Sequence, residues 1–250
     1  MDRIQVCKLG KFTFSYSFST IENVLPVMER EGFRLCSLED IARLRIAQSM
    51  YNRNKSDAIF DNGPILTREA VLCSPGNPPT AKLIKNSPIL FPSLEYVPDK
   101  GIVIKPANMV KTREIIGLTR MEVYESAFKE LEKTNFFPNK KQKDYSLRNS
   151  IEFPISKNGD LSRFVNTEDF KKNKLVSFIF GEQTDMYQKS LAMSGIRGLR
   201  IYSELSELIN NFRKSFARQI IYGRDETADI CLHSGIIFAD SEFYIFGIKE

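Results

Sequence analysis

Apolar and polar residues alternate where the chain begins. Ile4 and Val6, then Phe12, Phe14 and Tyr16, fall on one face of two short strands broken at Gly10, which predicts a hairpin. Ser19-Thr20-Ile21-Glu22 reads as a capping box, the Ser19 hydroxyl bonding the amide three residues on while Glu22 reaches back. A helix should run from there to about Glu31 and stop at Gly32, with Pro26 as its kink or its true first turn. Ser37-Leu38-Glu39-Asp40 opens a second helix by the same logic. Its stripe is Leu38, Ile41 and Leu44, and Gln48 ends it; Ala42 and Ile46 make the other face partly apolar, so it should lie between two layers.

The pattern changes from Asp61 to Pro106. Eight of the eleven prolines fall there, a spacing that no long helix survives. The pieces between are short and strand-like: Ala70–Cys73, Leu83-Ile84, Ile89–Phe91 and Gly101–Lys105. They predict edge strands and extended loops wrapped on a core. Thr119-Arg120-Met121-Glu122 then caps a helix with Met121, Tyr124, Phe128 and Leu131 on its stripe, ending near Asn135. Ile151–Ile155 is a short strand, followed by a turn at Lys157–Asp160.

The last 75 residues predict a regular unit. Leu175–Phe180 is an apolar strand ended by Gly181, and a helix runs from about Thr184 to Met193. Leu199–Tyr202 is the next strand. A long helix follows Ser203, with Leu205, Leu208, Ile209, Phe212, Phe216 and Ile220 on one stripe, and stops at Gly223. Ile230–Ala239 and Phe243–Ile248 read as two strands about Asp240-Ser241-Glu242. The fold class is therefore mixed α/β: an N-terminal hairpin plus helices with a Pro-rich extended wrap, then a C-terminal β-α-β-α-β-β crossover unit. Residues 1–110 form an N-terminal α+β region and residues 111–250 a C-terminal α/β region, packed as one domain or two, with the boundary near Pro106 to Thr119.

Composition narrows the chemistry. A single histidine, His233, excludes mechanisms that need two imidazoles, such as HExxH zinc hydrolysis or facial-triad iron oxygenation. His233 follows Cys231 by two residues on a strand, a spacing near 7 Å that is too long for a nucleophile–base pair, so it reads as a core or edge residue. Cys7, Cys36, Cys73 and Cys231 form no CxxC and have no metal-ligand spacing; they are expected to be buried, reduced thiols. The chain has no GxxxxGK[ST] phosphate loop and no GxSxG elbow. Asp57 and Asp61 would share a helix face and could hold Mg²⁺, but Asp61-Asn62-Gly63-Pro64 is a turn sequence. With no signal-type segment and no run of 18 apolar residues, the chain is expected to be soluble and cytoplasmic, without membrane contact.

Gly32-Phe33-Arg34-Leu35-Cys36-Ser37 resembles the short strand-to-helix stretch of formylglycine-generating and related C-type-lectin-like domains. The resemblance spans six residues, lacks the proline expected after Leu35, and sits in a chain without the tryptophan in which those domains are rich. It assigns no family.

Two candidate sites remain. Net charge is +5, and the excess gathers between Lys133 and Arg148, where Lys133, Lys140, Lys141, Lys143 and Arg148 face only Asp144. Phe136, Phe137 and Tyr145 interleave with these cations, a composition suited to phosphates and stacked bases. A second basic set, Arg197 to Arg224, includes residues placed to complement a helix C-terminus. The function this supports is a binding or assembly protein, contacting nucleic acid through Lys140, Lys141, Lys143 and Arg148 or holding a protein partner. The alternative is a metal-assisted, carboxylate-based enzyme with Glu182 and Asp185 at the end of strand 175–180. No motif defines a cofactor, a substrate or an oligomeric state.

Overall fold

The computed structural model of the chain describes residues 4–51, 60, 63–74, 80–85, 95–97, 101–104, 113–115, 150–154, 163–201, 216–224, 229–235 and 242–249. The N-terminal alternation builds the expected hairpin. Strand β1 (Gln5–Leu9) pairs antiparallel with β2 (Phe12–Thr20) about Gly10, whose φ of +58° is the left-handed turn conformation that glycine adopts without strain. Helix α1 (Ile21–Arg30) carries Pro26 inside it, and Gly32, at φ +75°, ends it as its N–H bonds back to Glu29 C=O. The N-cap position itself differs from the one expected. Thr20 is the N-cap, and Ser19 belongs to β2, where it faces Phe243 across the ladder.

Beyond α1 come β3 (Arg34–Leu35) and α2 (Leu38–Tyr51), the latter opened by a reciprocal cap: Ser37 Oγ accepts from Asp40 N at 3.1 Å, and Asp40 Oδ2 accepts from Ser37 N at 2.9 Å. Strand β4 (Ile65–Ser74) occupies the proline-free interval between Pro64 and Pro75. It is a central strand rather than the edge strand its surroundings suggest. Strands β5 (Thr80–Ile84), β6 (Glu95–Val97), β7 (Gly101–Ile104), β8 (Arg113–Ile115), β9 (Ser150–Pro154) and β10 (Arg163–Asn166) follow. Helices α3 (Lys174–Phe180) and α4 (Thr184–Met193) precede β11 (Gly198–Ile201), β12 (Phe216–Arg224), β13 (Ile230–Gly235) and β14 (Glu242–Lys249). Ile89–Phe91, the helix expected over 119–135 and the turn at 157–160 lie outside the described residues.

Among the described residues the main sheet runs β1-β2-β14-β4-β12-β13-β11-β10, with β3 on β14, and β5 and β9 branching from β4; β6-β7-β8 form a separate sheet. Strands from 1–110 and from 111–250 thus share one sheet: β14 lies between β2 and β4. Side chains alternate between its faces. Phe246 and Ile248 of β14, Ile65 and Val71 of β4, and Ile220 and Tyr222 of β12 join the core beneath α2, α3 and α4. Phe243, Ile245, Leu66 and Ile221 point the other way, to Val24 and Met28 of α1.

The C-terminal half departs from the crossover unit. Leu175–Phe180 is a helix, because Asn173 Oδ1 caps it by accepting from Leu175 N and Val176 N at 3.0 and 3.1 Å, and Gly181 at φ +54° ends it. An unbroken apolar run has no period of its own, and the cap decides. Phe216–Ile220 belongs to β12 instead of the end of a long helix: Ile220 and Ile221 face opposite cores, which only a strand allows. Strands β13 and β14 are not neighbours either; β12 and β4 lie between them. Among the described residues the parallel pairs are β11 with β13 and β14 with β4.

Candidate functional site

The sheet forks, and the buried charged residues Asp40, Arg68 and Glu69 converge at the fork. Along one side β4 pairs with β12 at Ile65 and Leu66 and again from Ala70 to Cys73; along the other it pairs with β14 at Ile65 and Leu66, then with β5 from Ala70 to Ser74. Residues 67–69 lie between the two partners, and the β4–β12 register shifts there between Gln219 and Ile221. Gln219, fully buried, holds this bulge: its amide nitrogen donates to Thr67 C=O at 2.7 Å and to Glu69 C=O at 2.9 Å, while Thr67 Oγ1 donates to Ile220 C=O at 2.8 Å.

The turn from β3 into α2 fills the fork. Cys36 N–H donates to Phe246 C=O of β14 at 2.8 Å, and Cys36 C=O accepts from Arg68 N of β4 at 3.1 Å, so a single residue bridges both arms. Its thiol is fully buried, and burial, with Asp40 adding to it, pushes the thiol pKa well above the ordinary value. Asp40 receives Arg34 NH1 and NH2 at 2.5 and 3.1 Å and Ser37 Oγ at 2.7 Å. Burial alone would raise the Asp40 carboxyl, but the Arg34 guanidinium and the Ser37 donors more than offset it and hold it below the usual range. Glu69 Oε2 accepts from Leu38 N at 3.0 Å, in the first turn of α2. Burial dominates here and pushes the Glu69 carboxyl up to about 7, against the lowering effects of the Leu38 amide and of Arg68. Arg68 is itself lowered by burial and by Arg34. At the rim, Glu39 meets Arg43 at 2.8 Å and Lys85 at 3.4 Å, and Lys85 lies over the Phe178 ring at 5.2 Å.

Sequence reasoning saw Ser37 and Asp40 as a helix cap but did not foresee the convergence with Arg68 and Glu69; the Leu38–Glu69 bond alone spans 31 residues of chain. The one signal present was the run Thr67-Arg68-Glu69 interrupting an otherwise apolar strand.

The residues singled out by sequence lie elsewhere. Glu182 sits in a 3₁₀ turn and Asp185 in the first turn of α4; Asp185 is exposed and pairs with Lys171 at 2.9 Å, and Glu182 is exposed as well. The strand that was to present them, 175–180, is α3. Among the described residues no group of three His, Cys, Asp or Glu side chains is placed to hold a metal ion. Lys140, Lys141, Lys143 and Arg148 lie outside the described residues, as do Asp57 and Asp61. In the second basic set, Arg197 and Arg200 approach the buried carboxylate of Asp229 at 3.0 and 3.7 Å, so part of that charge is neutralised within the fold. His233 stands opposite Ile221 in the β12–β13 ladder, and Cys231, two residues before it, is buried. No described helix is long and apolar enough to cross a membrane.

No protein-family model and no curated protein sequence matches the chain. Its backbone does have a counterpart among solved structures, a protein described as the accommodation of massive sequence variation in Nanoarchaeota by the C-type lectin fold. The two superpose with a TM-score of 0.52 at 9% identity, over 97% of this chain and 99% of the other. At that identity the likeness is one of fold. Gly32–Ser37, the stretch whose short resemblance assigned no family, runs here through β3 to the cap of α2.

Proposed function

We infer that the protein is a binding module on a C-type-lectin-like scaffold, and that it contacts nucleic acid through the cationic stretch Lys133–Arg148. The observation that carries this reading is the register of β5 with β9, which pairs Ile84 with Ser150 and Thr80 with Pro154. The chain between them, residues 85–149, therefore leaves and re-enters the sheet at one spot, as an insertion into a hairpin. Residues 86–149 hold eleven Lys and Arg against eight Asp and Glu, and Lys140, Lys141, Lys143 and Arg148 lie within them. A scaffold whose fold tolerates wide sequence change, as described for the solved neighbour, suits such a role. A cytoplasmic location would give it access to nucleic acid.

Salt-dependent binding of single-stranded and duplex oligonucleotides tests this. Wild type should bind with an affinity that falls steeply as salt rises. Replacing Lys140, Lys141, Lys143 and Arg148 together with Ser should weaken binding to every sequence and reduce the slope of log K against log salt by about 3, at roughly 0.7–0.9 per lost phosphate contact. Unchanged binding in the fourfold variant would remove the reading.

A further inference from the structure

We propose that the fork is a proton-operated joint: with Glu69 protonated the β3–α2 turn is locked between the arms of the sheet, and ionisation of Glu69 loosens it. The geometry makes the joint sensitive. The Glu69 carboxyl is fully buried, it touches the first turn of α2 through Leu38 N at 3.0 Å, and it rides on a bulge whose backbone is pinned by Gln219. Releasing that turn frees Cys36, whose backbone ties β14 to β4.

The groups around Glu69 set the direction of the effect. The Leu38 amide, Arg68 on β4 and Lys85 beside β5 favour its charged form, and burial, with Asp40 on α2, opposes it more strongly. Arg34 on β3 acts on the same cluster but is engaged by Asp40, and Cys36 stays neutral because burial raises its thiol. Burial outweighs the cations, so the folded state holds the proton more tightly than the unfolded chain does. A carboxyl of that kind contributes stability that is complete below its unfolded value of 4.5 and is lost as pH rises through about 7. Between those limits the folding equilibrium constant should fall by up to about 300-fold, a factor of about ten for every pH step between the unfolded and folded values.

Site-resolved alkylation of Cys36, quantified by mass spectrometry from pH 5.5 to 8.5 in wild type and Glu69→Gln, reads the joint directly. Gln keeps an acceptor for Leu38 N and removes the ionisation; because ionised Glu69 also raises the Cys36 thiol, which by itself slows wild-type alkylation, a faster wild-type rate reports opening rather than thiolate. The ratio of wild-type to variant rate should be flat at acid pH and climb about 10-fold or more above pH 7. Parallel rates across the range would overturn the proposal. Should Glu69→Gln not fold, wild type labelled with ¹³C at its glutamate carboxyls decides: one carboxyl titrating near 7 supports the joint, and all of them titrating below about 5.5 refutes it.

Discussion

Close approach sets the limits on single residues here. Gly247 stands opposite Ser15 in the β2–β14 ladder, on the face covered by α1. A Cβ there would lie 2.7 Å from Ser15 Oγ, 2.9 Å from Phe33 Cβ and 3.1 Å from Met28 Sδ. Ser15, Ser17 and Ser19, all buried, keep the rest of that face shallow. Gly247→Ala is therefore expected to destabilise by about 1–3 kcal/mol through overpacking, measured as a shift in the denaturant midpoint at constant m. The serine hydroxyl can rotate away, but the Phe33 backbone-proximal carbon cannot, so relief has to come from movement of α1. None of this shows in the sequence, where Gly247 sits among Phe246 and Ile248 like any glycine in a strand.

At the scale of elements, caps and turns were legible and the identity of apolar runs was not. The Gly10 hairpin, the stop at Gly32, the Ser37 cap, the strand at 150–154 and helix α4 all follow from local chemistry, and the chain builds them. Leu175–Phe180 and Phe216–Ile220 went the other way, because a run of five or six residues is too short for its period to separate helix from strand. The bulge at 67–69 was invisible for a different reason: it depends on Gln219, some 150 residues on. Gln219→Ala leaves Thr67 C=O and Glu69 C=O without that amide and opens a space in a buried strand. A loss of about 2–3 kcal/mol is expected, with faster hydrogen exchange at Arg68 and Leu38 than elsewhere in the sheet. Uniform exchange would mean that the fork stands without the glutamine.

The whole molecule is organised by pairing between distant parts of the chain. Strand β14 separates β2 from β4, so the N-terminal strands join the rest of the sheet through it. Hairpin β5–β9 hangs from β4, and its register leaves residues 86–149 as an insertion. Replacing 86–149 by a short Asn-Gly turn should therefore give a chain that still unfolds cooperatively, with Lys85 retained against Glu39, and that no longer binds nucleic acid. Circular dichroism melts and the oligonucleotide assay check the two halves of that expectation; a chain that cannot fold would place the segment in the core.

The sequence by itself determined the mixed α/β class, the N-terminal hairpin and helices, the basic stretch at Lys133–Arg148, and the presence of a single histidine. Those are local or compositional facts, settled by turn residues, caps and counts within a few positions of one another. Only the tertiary structure decided that β14 lies between β2 and β4, that β4 is central, and that Arg34, Cys36, Asp40, Arg68 and Glu69 meet in one fork. The reason is physical. A strand's neighbours and a carboxyl's burial are set by partners that the chain brings together from far along its length, and no short window of residues contains them.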